Sequence, residues 1–211
     1  MVGILITFEG PDGGGKTTQM GLLAEHLRRQ GHTVVCTREP GGTALGDKIR
    51  ALLLDPSNAA MAPSTEALLY MADRAQHVAE VIAPALARGE VVLSDRYTDS
   101  TLVYQGAARR LAREELAAIN LFATGGVVPD LTILLDGDAA TLGERLADRG
   151  GADRIEGEAA GFHALVRQGF KELTAAEPAR VKAVAADRGV EEVHLMVVEV
   201  VEEFLRRRAY G

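Results

Sequence analysis

Gly10-Pro11-Asp12-Gly13-Gly14-Gly15-Lys16-Thr17 fits the pattern G-x-x-x-x-G-K-[ST], and its neighbours give that pattern meaning. Before it, Ile4–Glu9 is a short apolar run that reads as a buried strand. After it, Met20, Leu23, Ala24 and Leu27 fall at i, i+3, i+4 and i+7, the face of a helix that Gly31 can end. Strand, glycine loop and helix in that order make a cradle for phosphate. Glycines let successive N–H groups turn inward around anionic oxygens, and the helix N-terminus adds positive potential. On this reading Gly10, Asp12, Gly13, Gly14, Gly15 and Thr18 belong to the cradle, Lys16 reaches the β- and γ-phosphates of a triphosphate, and the Thr17 hydroxyl ligates Mg²⁺.

Beyond the loop, short β-rich runs keep alternating with helical periods. Thr33–Thr37, Val91–Ser94, Leu131–Leu135 and Val181–Ala186 read as further strands. Leu45, Ile49, Leu52 and Leu53 mark one helix. Ser64 can cap a long one whose buried face carries Leu68, Met71, Ala72, Ala75, Ala79 and Ile82. Leu116, Ile119 and Ala123 mark another, Leu142 and Leu146 begin a fourth, and Phe162, Leu165, Val166 and Phe170 lie on a fifth. The last helix runs through Val193, Val197, Val201 and Phe204, with Glu191 and Glu192 at its start and Arg206–Arg208 at its end, as the helix dipole favours. Such alternation predicts the α/β class, a central five-stranded parallel sheet covered on both faces: the three-layer αβα sandwich of the P-loop NTPase type. Ligands bind such sheets beyond the carboxyl ends of the strands. The residues to inspect are therefore Gly10–Thr18, Arg38–Thr43, Asp95–Gln105 and Asp136.

Composition limits the partners. Hydrophobic residues make up 47% of the 211 and charged residues 25%, the balance of an ordinary globular chain. The net charge of −7 argues against a broad nucleic-acid or membrane-binding surface, so anionic ligands must be met by local cations. The single Cys36, in the apolar run Val34-Val35-Cys36, reads as a buried structural thiol and suits a reducing, cytosolic compartment. No apolar run is long enough for a membrane span, and Glu9 and Asp12 follow the first strand too soon for a signal peptide. The five histidines show no metal-ligand spacing, so Mg²⁺ arriving with ATP is the metal implied.

A second site must name the reaction. Asp95-Arg96 closes the third strand, and the run to Gln105 is crowded with hydrogen-bonding groups. Asp95 can hold water on Mg²⁺ or take a proton, and Arg96 can fork onto an acceptor phosphate. Asp136, also at a strand end, competes for the metal side. Tyr70, Arg74 and His77 fall at i, i+4 and i+7, a surface on which a nucleobase can stack and be hydrogen-bonded. Taken alone, that row reads more readily as a solvated helix face. Arg145, Arg149 and Arg154 surround Gly150-Gly151, which describes either a mobile cationic cover or an ordinary helix end.

The stretches FEGPDGGGKTTQ (8–19), TREPGGTALGDKIRALLLD (37–55), LLYMADRAQHV (68–78), SDRYTDSTLVYQG (94–106), PDLTILLD (129–136) and RGGADRIE (149–156) together resemble the thymidylate kinase family, of the bacterial kind. The resemblance implies a nucleoside monophosphate kinase with a lid: one domain over 1–211, a phosphate loop at 10–18, an acceptor region at about 38–78 and 95–106, and a lid at about 145–160. It implies transfer of the γ-phosphoryl group of ATP to dTMP, giving dTDP and ADP. It also implies residue roles. Asp12 would contact the sugar and phosphate of dTMP, and Arg50 and Arg96 would hold the acceptor phosphate. Tyr70 would stack on thymine, and Arg74, helped by Ser100 or Thr101, would donate to the base. Tyr104, with Gln105 beside it, would sense the deoxyribose. Arg149 and Arg154 would serve as lid arginines acting with Lys16 and Arg96 in catalysis, and Arg145 would pack on adenine. A homodimer is the family's common state. Two departures stand out: Gly13, where some members carry a loop arginine, and Phe170, where a tyrosine is usual. Kinases for dCMP, dUMP, AMP or a free deoxynucleoside stay open at this stage, as does a partner-binding GTPase or ATPase switch, although no N-K-x-D segment follows a strand.

Overall fold

The structure, a computed structural model, describes residues 3–148 and 153–210. In chain order the elements are β1 (Ile4–Glu9), α1 (Lys16–Arg29), β2 (Val34–Arg38), α2 (Ala44–Leu54), α3 (Pro63–His77), a π-helical turn (Val78–Ile82), α4 (Ala83–Ala87), β3 (Val91–Asp95), α5 (Thr98–Thr101), a second π-helical stretch (Leu102–Ala108), α6 (Arg113–Thr124), β4 (Leu131–Asp136), α7 (Ala139–Asp148), α8 (Ala160–Ala176), β5 (Val181–Ala185) and α9 (Val190–Tyr210). The strands pair in parallel in the order β2-β3-β1-β4-β5, with Phe8 opposite both Asp95 and Ile133. The expected five-stranded parallel sheet is there, each strand end within one residue of its sequence-based reading.

Alternation along the strands builds the layers. Ile6 and Phe8 of β1 and Leu131, Ile133 and Leu135 of β4 point to one face, under Leu23 and Leu27 of α1 and Val193, Val197 and Val201 of α9. Leu5 and Val92 point to the other, under Val78, Ile82 and Ala85. Leu134 shares that opposite parity and packs with Phe162, Val166 and Phe170 of α8. Each fully buried aliphatic or aromatic side chain contributes about 1.5–3 kcal/mol. The carboxyl ends of β1 and β3 thus open at one rim, as the ligand rule for such sheets requires.

The long helix differs from expectation. It starts at Pro63, which suits the first helical position because it lacks only an N–H that would be unpaired there, and not at a Ser64 cap. It runs on through the π-turn to Ala87. Leu68 is 60% exposed, and Ala72 and Ala79 are exposed too; the buried face carries Glu66, Met71, Asp73, Arg74 and His77. Those polar groups are buried because each finds a partner on another element, described below. Cys36 is exposed, not buried, because β2 is an edge strand.

Candidate active site

At the rim, β1 hands the chain to the glycine loop. Gly13 and Gly15 adopt φ of 81° and 78°, left-handed values that favour glycine. A Cβ on Gly13 would lie 2.2 Å from the carbonyl oxygen of Leu142, so α7 occupies the place where a side chain would start. That explains the absence of a loop arginine here. Lys16 opens α1, is buried, and donates from Nζ to the carbonyls of Gly10 (3.1 Å) and Pro11 (2.8 Å). Burial, then the Arg96 charge, lowers its ammonium from the ordinary lysine value. Thr17 Oγ1 donates to Asp95 Oδ2 at 2.6 Å. Asp136, the competing carboxylate, instead accepts the N–H of Gly137 and lies outside the cleft wall. A hydroxyl and a carboxylate in contact beside a phosphate cradle are the hard oxygen donors that suit Mg²⁺.

Arg96 joins this cradle to α5 and the π-helical stretch after β3. Its φ of 71° is unusual for a residue with a side chain, a strained conformation of the kind that gathers at ligand sites. Its Nη1 donates to Gly10 O (3.0 Å) and Ser100 Oγ (3.2 Å), its Nη2 to Asp12 Oδ1 (2.5 Å). The guanidinium lies 5.0 Å from the Tyr104 ring centroid, and Tyr104 Oη reaches Asp12 Oδ2 at 3.5 Å. Beneath this group sits Glu9, which sequence reasoning used only to rule out a signal peptide. It accepts from the N–H of Tyr97 (2.8 Å) and from Ser100 Oγ (2.5 Å). Burial, with the Asp99 charge, raises its carboxyl to about 7.

Across the cleft, α3 presents Tyr70 and Arg74 to the opening, but Arg74 is not an open fork. Its Nε and Nη2 bind Glu39 (2.8 and 2.7 Å), its Nη1 binds Thr101 Oγ1 (2.8 Å) and Asn120 Oδ1 (2.6 Å), and its Nη2 also binds Tyr97 O (3.0 Å). The expected base donor is therefore a buried strut that orients Thr101. His77 is buried as well, between Glu39 Oε1 (2.9 Å) and Thr37 Oγ1 (2.6 Å), so the row is not a solvated face. Arg50 lines the cleft and donates to Pro40 O at 2.8 Å. Phe170 meets the Tyr104 ring edge-on at 6.2 Å and braces it by packing alone.

Arg154, expected to face the transferring phosphoryl, is 7% exposed and off the cleft wall. Its Nη1 pairs with Glu66 at 2.7 Å and its Nε donates to Leu53 O at 2.7 Å. A buried carboxylate demands cations, and Glu66 takes Arg109 as well, at 3.0 Å. Arg145 also departs from the picture of a loose cover: it donates to the carbonyls of Ala186 (2.6 Å) and Arg188 (3.0 Å), fastening the loop before α9. Arg149 lies outside the described residues. Sequence reasoning missed Glu9, Glu39, Glu66 and Asp73. Only Glu9, ending the apolar run that starts at Ile4, carried a local signal.

The cleft that joins these groups has a volume of about 1000 Å³. One end holds Lys16, Thr17, Asp95 and Arg145; the other holds Arg50, Tyr70, Thr101, Tyr104 and Gln105, with Asp12 and Arg96 between them. A family model described as thymidylate kinase matches residues 8–197. A thymidylate kinase of Geobacter sulfurreducens is 52% identical over 98% of this chain and 100% of its own. One of Pelobacter propionicus is 47% identical over 100% and 99%. The crystal structure of thymidylate kinase from Ehrlichia chaffeensis superposes with a TM-score of 0.78 at 32% identity, covering 95% of this chain and all of that one. Similarity at this level along the whole length makes this chain a member of the thymidylate kinase family.

Proposed function

We infer that the cleft carries out the family reaction: the γ-phosphoryl group of ATP passes to dTMP, giving dTDP and ADP on the way to dTTP. The observation that carries the reading is Arg96, which bonds at once to the phosphate loop at Gly10 and Asp12 and to Ser100 of α5, and packs on the Tyr104 ring. A cation in that position neutralises charge on a phosphoryl group in flight between the two pockets.

In this reading the glycine loop and Lys16 hold the β- and γ-phosphates, and Thr17 with Asp95 holds Mg²⁺, which supplies charge neutralisation when bound. Arg145 holds the loop against which adenine packs. Asp12, Arg50 and Arg96 orient the dTMP phosphate. Tyr70 stacks on the thymine, Thr101 and Gln105 meet its polar edge, and Tyr104, braced by Phe170, closes on the deoxyribose. The acceptor oxygen is already anionic, so positioning and electrostatics supply most of the acceleration and no strong base is required. The lid over about 145–160, with Arg149 and Arg154, excludes water during transfer. Arg154 reaches the phosphoryl group only by leaving Glu66.

Two further parts of the reading concern the whole chain. It pairs with a second copy through α3 and α6, where Leu68, Leu121 and Phe122 are 60%, 63% and 89% exposed. It works in the cytoplasm, where Cys36 stays reduced; among the described residues no helix is long and apolar enough to cross a membrane. The reading is tested by a panel of dTMP, dUMP, dCMP, AMP and thymidine with ATP and Mg²⁺, following ADP. The expected result is dTMP-dependent ADP release with stoichiometric dTDP. ADP released at the same rate without an acceptor overturns it. Sedimentation equilibrium of the same preparation tests the pairing, and a single species of monomer mass removes it.

A further inference from the structure

The two ends of a glutamine amide have opposite chemistry: the oxygen accepts, the nitrogen donates. Which end a cleft-lining glutamine shows to a nucleobase decides which base it reads. At Gln105 a neighbour makes that choice. The residue is 2% exposed, and its Nε2 donates to Glu66 Oε1 at 2.9 Å. Glu66 is 1% exposed, and its oxygens also take Arg109 (3.1 and 3.0 Å) and Arg154 (2.7 Å). Burial alone would raise its carboxyl, but the bonds from Arg109, Gln105 and Arg154 outweigh burial and hold it below the ordinary value. Glu66 is therefore an ionised group that can only accept. Turning the Gln105 amide over would set oxygen against oxygen in a buried setting, which such sites do not tolerate. The Gln105 oxygen accordingly lies at the far end of the amide from Glu66, takes no hydrogen bond from the described residues, and belongs to a side chain in the cleft wall. One turn earlier, Thr101 Oγ1 already accepts from Arg74, which leaves its proton to be given.

We propose that Glu66 is a specificity-determining positioning residue, which locks the Gln105 amide with its oxygen toward the base so that the wall reads a pyrimidine carrying N3–H and rejects cytosine. An acceptor at Gln105 and a donor at Thr101 match the N3–H and carbonyl edge shared by thymine and uracil. Cytosine reverses that edge, with an unprotonated N3 and an amino group, and would face like against like. Sites that hydrogen-bond a substrate group in this way discriminate far more strongly than apolar pockets do. The proposal rests on the reading of the α3 end of the cleft as the nucleobase subsite.

The test is Glu66→Gln in the full chain, with kcat/KM measured for dTMP, dUMP and dCMP. A glutamine at 66 can donate or accept, so the Gln105 amide is free to turn. The expected result is a fall in the dTMP to dCMP ratio of roughly tenfold or more, while the dTMP to dUMP ratio holds within about twofold, because those two share the edge. An equal loss for all three substrates, or an unchanged dCMP ratio, would mean that Glu66 only supports the fold, and overturns the proposal. Should Glu66→Gln fail to fold, the wild-type enzyme still decides the matter by NMR. The Gln105 side-chain amide protons, assigned by their loss in Gln105→Met, are expected to include one shifted downfield and slow to exchange. Both exchanging as in free glutamine would overturn the lock. A wild-type enzyme inactive on dTMP would instead remove the underlying reading, a failure visible before any variant is made.

Discussion

At the glycine end of the cleft, the wall is built of backbone, shaped by Gly13 and Gly15 at positive φ and backed by Lys16. At the α3 end it is built of side chains, each fixed by other side chains: Arg74 by Glu39, Thr101 by Arg74, Gln105 by Glu66. The first pocket is made within a few consecutive residues. The second is made by residues 39, 66, 74, 101, 105 and 120, which meet only in the folded chain. A pocket of the first kind loses function one group at a time. A pocket of the second kind is a network whose removal of one partner leaves another charge buried and uncompensated, so it fails as a unit and takes stability with it.

The sharpest way to break this contrast is Glu39→Ala. Glu39 is 4% exposed and holds both Arg74 and His77. Its loss strands a buried guanidinium, for which about 3–5 kcal/mol of destabilisation is expected. Urea denaturation measures it, and acceptor KM should rise in parallel. A change within about 0.5 kcal/mol, the size of an ordinary surface substitution, would sink the network idea.

Next in size is Lys16→Met at the other end. Removing one preorganised cation from the phosphate cradle is expected to lower kcat by about 10²–10³, or ~3–4 kcal/mol of transition-state stabilisation. Its folding stability should stay close to wild type or rise, because a buried ammonium that burial already disfavours is gone. Single-turnover transfer and the denaturation midpoint supply the two numbers. A midpoint falling as far as that of Glu39→Ala would erase the difference between the pockets.

The same difference governs what could be read in advance. The strands, the phosphate loop and the helix after it were legible because period and glycine placement are local signals. Thr17 and Asp95 were legible as a pair because both follow strands that end at one rim, although nothing local ranked Asp95 above Asp136. The buried face of α3 was not legible. Apolar periodicity chose Leu68 and Ala72, while the core side was taken by Glu66, Asp73, Arg74 and His77, which are tolerable inside only because partners arrive from distant segments. Arg154 was misplaced for the same reason. Its chemistry was read correctly as cationic, but Glu66, 88 positions earlier in the chain, decides where it points. Cys36 was misjudged because an apolar run does not say whether its strand lies at the centre of a sheet or at its edge.

A smaller effect, confined to the α3 network, sharpens the contrast by pH. Asp73 is 0% exposed; its Oδ1 accepts from the N–H of Gly41 at 2.8 Å, and its Oδ2 has no partner among the described residues. Burial, then the Glu39 charge, raises its carboxyl from 3.8 to about 6. The native state therefore binds this proton more tightly than the unfolded chain does. The stability it contributes is complete below about pH 4 and is lost as the pH climbs through about 6. Asp73→Asn mimics the protonated side chain at every pH and keeps the oxygen that Gly41 needs. The variant should match wild type near pH 4 and exceed it by up to ~2–3 kcal/mol at pH 7. Taking the difference between the two proteins at each pH cancels the titration of every other carboxylate that the substitution leaves undisturbed. A difference that stays flat from pH 4 to 7 would mean that Asp73 is ionised at no cost, with its charge satisfied by Arg74 and His77 nearby. The network would then hold a closed balance of charge, and the α3 pocket would be no more sensitive to protons than the glycine cradle opposite.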